Sequence, residues 1–292
     1  MELELKRGGR TARVETLGGE LVSYRDERGL EYIWGGDPAY WPGRNPLLFP
    51  IVGMLKEGKI RFDGREYAME RHGFARRRKF TPAARGEDWV RLELRESAET
   101  LALYPYPFRL AVEQRLTDTG FSTAVTVANP GEGPLPFCLG AHTGFRCPLE
   151  AGERFEDYEL VFPERESCPT LLLRDGLLDR PAALPCLEDT DTLPLDYRWF
   201  DALDTLIFEG LRSRSVALRS RKSGRGVRVS FDGFPMLAFW TMPGKKAPYL
   251  CIEPWHGCAA GTAEGPEFTD KAHCIVLAPG ESRTLAYRAD TL

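Results

Sequence analysis

The chain has 292 residues, 42% hydrophobic and 28% charged, a balance that supports a large buried core and excludes an intrinsically disordered polymer. A formal net charge of −4 leaves no global attraction for nucleic acid, and no stretch approaches the roughly 18 apolar residues that a membrane-spanning helix needs. The seven cysteines are an odd set without paired zinc-type spacing, so they read as reduced, mostly buried thiols.

Residues 1–10 alternate apolar and charged side chains and lack the apolar centre of an export leader, so a cytoplasmic protein is expected. Residues 60–67 bracket Asp63-Gly64, a hairpin signal. The basic run Arg76-Arg77-Arg78-Lys79 follows; read as a strand, it points alternately to opposite faces and cannot converge on one anion. Trp89-Val90-Arg91-Leu92-Glu93-Leu94-Arg95 has the period of a half-solvated antiparallel strand. The prolines of Tyr104-Pro105-Tyr106-Pro107-Phe108 make that aromatic segment an edge or a loop. Strands over 109–117 and 121–128 flank a turn at Asp118-Thr119-Gly120.

Residues 163–194 form the longest stretch without alternation and read as an ordered excursion, because leucines recur through it. One or two helical turns are expected over 196–203, paired strands over 215–220 and 226–231, and an apolar strand over 272–277 that carries His273 in a structural role. With 22 prolines and 29 glycines, sustained helical periodicity is hard to place. Many strands, few helices and no compositional break predict an all-β fold, a large antiparallel β-sandwich formed by a single domain over residues 1–292.

Two distant segments concentrate the chemistry. Gly140-Ala141-His142-Thr143-Gly144-Phe145 sets an imidazole among small residues, and Cys251-Ile252-Glu253-Pro254-Trp255 sets a carboxylate where partial desolvation would raise its pKa toward a useful base. His72, in Arg71-His72-Gly73-Phe74-Ala75-Arg76, has similar small and aromatic neighbours. No HxxxH, HExxH or CxxC spacing suggests a metal, and no Gly-Ser-Gly elbow carries a serine nucleophile. Cofactor-free acid-base chemistry and simple polar binding are the readings left.

These segments, with Gly43-Arg44-Asn45-Pro46-Leu47-Leu48-Phe49-Pro50 and Lys56-Glu57-Gly58-Lys59, resemble the aldose 1-epimerases, or galactose mutarotases, and in particular a bacterial aldose-epimerase-like branch. The resemblance spans nearly the whole chain. It implies a galactose-mutarotase-like sandwich whose open face binds a hexopyranose without cofactor or metal, as a monomer or homodimer, with a small-molecule sugar as its partner and neither nucleic acid nor membrane. Carried over by motif, Glu253 is the general base and His142 the general acid. His72 and Asp204 bind sugar oxygens, and Arg76 and Trp240 are placed beside the sugar as a donor and a stacking surface. The sequence departs from the family twice: Met54 stands where a substrate-binding arginine is usual, and Thr143 replaces the proline after the histidine, which is expected to loosen the backbone. The implied reaction is exchange of α and β anomers. The competing readings are a non-catalytic carbohydrate-binding or sensing protein, a hexose-6-phosphate 1-epimerase, and a glycoside hydrolase, which would need two opposed carboxylates.

Overall fold

The alternation of apolar and polar residues becomes a long antiparallel sheet in the computed structural model, which describes residues 1–292. Its path runs through Leu47–Leu48, Leu139–Ala141, Tyr249–His256, Met236–Trp240, Thr205–Glu209 and Tyr158–Arg174, then Ser215–Ser220, Gly226–Ser230 and Ser282–Thr291. Gly120–Ala128, Arg109–Leu116, Trp89–Arg95 and Thr81–Arg85 complete it. An N-terminal meander of Glu2–Arg7, Arg10–Glu15 and Glu20–Arg25 forms a separate sheet, and Gly19 at its last turn faces Val112 and Phe80. The sandwich encloses one contiguous core of 71 buried residues, drawn from the meander (Leu5, Val14, Leu21) and from both ends of the long sheet (Val90, Ile252). No helix is long and apolar enough to cross a membrane.

The expected hairpins are present. Arg109–Leu116 pairs with Gly120–Ala128, Lys59–Phe62 with Arg65–Ala68, and Ser215–Ser220 with Gly226–Ser230. Three expectations need correction. The excursion over 163–194 is a two-stranded arm, Tyr158–Arg174 against Leu177–Pro194, and repeated register shifts along it erase the period-two pattern that alternation depends on. The basic run is not a strand: Ala75–Arg77 is one turn of 3₁₀ helix, and its cations disperse, with Arg77 pairing with Glu70 and Arg78 with Glu99. His273 precedes the short strand Ile275–Leu277 in a left-handed conformation (φ 56°), where its ring bonds Glu209 and its carbonyl accepts from His256 Nδ1.

The strand Tyr249–His256 positions the chemistry. It is buried on both faces: Leu250 and Ile252 enter the main core, while Tyr249 and Cys251 turn the other way, toward Trp34 and Ala247. Strand alternation places Glu253 on that second face. Its neighbour runs in constant register from Leu139 opposite His256 to Arg146 opposite Tyr249, so His142, between the two short neighbouring strands, falls opposite Glu253. Side chains directly opposed in this way sit close enough to touch.

Candidate active site

His142 and Glu253 meet, with Nε2 of the imidazole 3.3 Å from Oε1 of the carboxylate. Both are buried, at 8% and 1% exposure, and Nδ1 of His142 and Oε2 of Glu253 have no hydrogen-bond partner. Burial drives the two groups apart in pKa. It lowers His142 to about 3 and raises Glu253 well above its usual range. Burial thus disfavours the charged form of both groups and biases the pair toward a neutral imidazole beside a carboxylic acid.

Glycine clears the space on either side of His142. A Cβ at Gly140 would meet the Trp255 ring at 2.9 Å, and one at Gly144 would meet Trp41 at 3.0 Å and the Arg44 carbonyl at 3.1 Å. The Gly-x-His-x-Gly pattern therefore admits two indoles that larger residues would push away. Trp41 lies over the imidazole with ring centroids 4.8 Å apart and planes at 30°, and Trp240 meets it edge-on at 5.6 Å.

Thr143 does not loosen the strand as expected. Its hydroxyl donates to Asn45 Oδ1 at 2.7 Å, and Tyr287 donates to the same oxygen at 3.0 Å, so a buried polar triad pins the residue after the histidine. Threonine replaces a fixed proline ring with hydrogen bonds.

His72 sits 5.8 Å from His142, centroid to centroid, with the rings nearly perpendicular. Its Nδ1 accepts from the Gly53 amide at 3.1 Å, which assigns the proton of the neutral ring to Nε2. Burial lowers its pKa well below the usual value, with the nearby His142, Arg76 and Arg71 acting in the same direction, so it remains a neutral N–H donor. The backbone at His72 is left-handed (φ 65°), and a Cβ on the following Gly73 would meet the Phe49 carbonyl at 2.2 Å, so only glycine fits there.

These groups line a cavity of about 300 Å³, within the range of small-molecule sites. The cavity brings together all six residues singled out in the sequence: His72, Arg76, His142, Asp204, Trp240 and Glu253. Asp204 is exposed at the mouth, where a helical turn over Tyr197–Leu203 ends and the Thr205 hydroxyl donates to its Oδ2 at 2.9 Å.

Sequence reasoning missed several lining residues. Trp41 comes from a loop without periodicity, and Leu173, Gly176 and Leu178 come from the tip of the bulged arm. Arg71 is the guanidinium that reaches Met54, donating to its sulfur at 2.7 Å, whereas Arg76 turns back to donate to the Arg71 carbonyl at 2.8 Å. The only earlier signal for Arg71 was its place beside His72.

Cys251, two residues before Glu253 on the same face, adds a third donor: its sulfur and donor atoms of His142 and Glu253 all lie within 4.8 Å of one another. Spacing along the chain could not reveal this group, because its members meet across neighbouring strands.

The sequence model of the family described as Aldose 1-epimerase matches residues 1–289. The chain belongs to this family. Among curated relatives, it is 40% identical to Protein LacX, plasmid, of Lactococcus lactis subsp. lactis, over 98% of each chain. A galactose mutarotase related enzyme from Lactobacillus acidophilus superposes with a TM-score of 0.95 at 27% identity, covering 100% of this chain and 97% of that one. A galactose mutarotase-like protein from Lactobacillus casei gives 0.93 at 27% identity, with both chains fully covered at 100%. The fold is thus the large antiparallel sandwich of the galactose mutarotase-like proteins, and in this member of the epimerase family the His142–Glu253 pair lines one cavity of the sandwich.

Proposed function

We propose that the protein is an aldose 1-epimerase-like isomerase that interconverts the α and β anomers of a hexose by opening and closing the hemiacetal. The observation that carries this reading is the buried imidazole–carboxylate contact of 3.3 Å at the wall of a sugar-sized cavity. Ring opening takes a proton from the anomeric hydroxyl and gives one to the ring oxygen, two atoms bonded to the same carbon. An acid and a base held side by side meet that demand. The freed aldehyde turns about its bond to C2, and closure reverses both transfers, so the pair returns to its starting protonation.

Sugar hydroxyls that donate to the free Oε2 of Glu253 stabilise its carboxylate, and the shared proton passes to Nε2 of His142. In that state Glu253 takes the anomeric proton and His142 supplies the ring oxygen. His72 donates from Nε2 to a sugar oxygen, Asp204 accepts hydroxyls at the mouth, and Trp240 offers an aromatic wall that Trp41 extends.

Polarimetry on freshly dissolved pure anomers of several hexoses tests the reading. Acceleration by wild type that falls about 10²- to 10⁴-fold in Glu253→Gln is expected. Equal rates with both proteins on every sugar would end the enzymatic reading, and tight binding without acceleration would select a carbohydrate-binding or sensing protein.

One observation favours a phosphorylated substrate as the second reading. Arg71 and Arg76 line the cavity, and neither is ion-paired to a carboxylate, which leaves two guanidinium groups for an anion. A hexose 6-phosphate turned over with higher kcat/KM than the free hexose, and an advantage lost in Arg71→Ala, would establish it.

A further inference from the structure

The proton-transfer pair has a neighbour that the proposed chemistry does not use. Cys251 is fully buried, its thiol is a free one not engaged by any side-chain hydrogen bond, and its sulfur is directed to the face that carries Glu253. Imidazole, thiol and carboxylate are the three side-chain types that zinc selects, and here they gather within 4.8 Å. The 3.3 Å separation of His142 Nε2 and Glu253 Oε1 is close to the edge of a tetrahedron with metal–ligand bonds of about 2.0 to 2.1 Å. The sulfur has to move inward by about 1 Å to join them. The second oxygen of Glu253 is buried and unpartnered, so the carboxylate has free capacity to ligate. The fourth position opens on the cavity, where water or a sugar oxygen can complete the shell.

We propose that His142, Cys251 and Glu253 form a binding site for a thiophilic divalent cation such as Zn²⁺, and that its occupancy blocks acid-base turnover. On binding, the thiol proton and the carboxyl proton pass to solvent, and the thiolate, the carboxylate and a neutral imidazole nitrogen each donate an electron pair to the ion. Affinity therefore rises with pH. The ion competes for the atoms that hold the mobile proton, so the metal-bound protein has neither a free acid nor a free base. Only the inhibitory half of this proposal rests on the reading of the pair as the acid and base of an isomerase.

The test uses the full chain after chelator treatment, titrated with Zn²⁺ in a calorimeter and with Co²⁺ in a spectrophotometer. One ion per chain is expected, together with a thiolate-to-cobalt charge-transfer band. Cys251→Ala abolishes the band and weakens Zn²⁺ binding at least tenfold. The near-isosteric Cys251→Ser, which also lacks the thiolate band, guards against a packing defect in the alanine variant. Zn²⁺ suppresses anomer exchange by wild type, a chelator restores it, and the residual activity of Cys251→Ala is insensitive to the ion. Absence of stoichiometric binding, or wild-type affinity retained in both cysteine variants, overturns the site. A charge-transfer band in a protein that accelerates no sugar leaves the site standing and removes the isomerase reading instead.

Discussion

His142 and Glu253 are pushed toward neutrality by the same burial, one by losing a proton and the other by keeping it. For His142 the folded-state pKa, about 3, lies below the ordinary 6.5. Its contribution to stability is therefore present above pH 6.5 and is lost as pH falls toward 3, because the unfolded chain takes up the proton first. Glu253 has the opposite sign: its raised pKa favours folding fully below the ordinary 4.5, and the benefit fades as pH climbs through the folded value. Urea midpoints measured between pH 6.5 and 3 should fall less steeply in His142→Asn than in wild type. Parallel acid limbs in the two proteins would contradict the assignment. Thr143 makes a separate case at the same scale. Thr143→Val strips the buried Asn45 oxygen of one donor, with an expected loss of about 1 to 3 kcal/mol, and Thr143→Ser should recover most of it. Chemical denaturation of the three proteins decides the matter.

At the level of elements, the site depends on two strands whose register sets His142 opposite Glu253 and on glycines that let the indoles approach. Gly144→Ala drives a methyl into the Trp41 ring and the Arg44 carbonyl. The expected result is a stability loss of about 1 to 3 kcal/mol from overpacking and weaker sugar binding, read as a higher KM with a smaller change in kcat. An unchanged KM would show that Trp41 does not shape the sugar site. Legibility in the sequence followed regularity at this scale. Trp89–Arg95 was readable because alternation marks its buried and its more solvated face, and Ser215–Ser220, which buries Val216, Ala217 and Leu218 in succession, was readable from its pairing with 226–231 across a Gly-containing turn. The arm over Tyr158–Arg174 and Leu177–Pro194 was not, because each register shift moves the next residues to the other face. The 3₁₀ turn at Ala75–Arg77 was hidden for a related reason, since three residues are too few to display a period.

For the molecule as a whole, the cavity is assembled from segments as far apart in the chain as Trp41 and Ala259. Motifs placed His142, Glu253 and His72 because each carries its own glycine or proline context. Trp41 and Arg71 escaped because their meaning lies in a contact with a residue elsewhere: the imidazole of His142 for one, the sulfur of Met54 for the other. The same whole-molecule view changes the expected pH response. The pair works while it holds one mobile proton, so kcat/KM should remain flat above the point near pH 3 where His142 also becomes protonated, and decline once pH passes the raised pKa of Glu253. Activity that only rises with pH would mean that an already ionised Glu253 is the working form of the free protein.

Whether the proton held between His142 and Glu253 drives anomer exchange can be read by exchange NMR on a hexose held at saturating concentration. Wild type, Glu253→Gln and His142→Asn are compared at equal protein concentration. Cross-peaks between the α and β anomers should grow with wild-type concentration, and exchange should fall about 10²- to 10⁴-fold with either variant while the sugar still binds. Exchange at the wild-type rate in either variant would contradict a role for that proton.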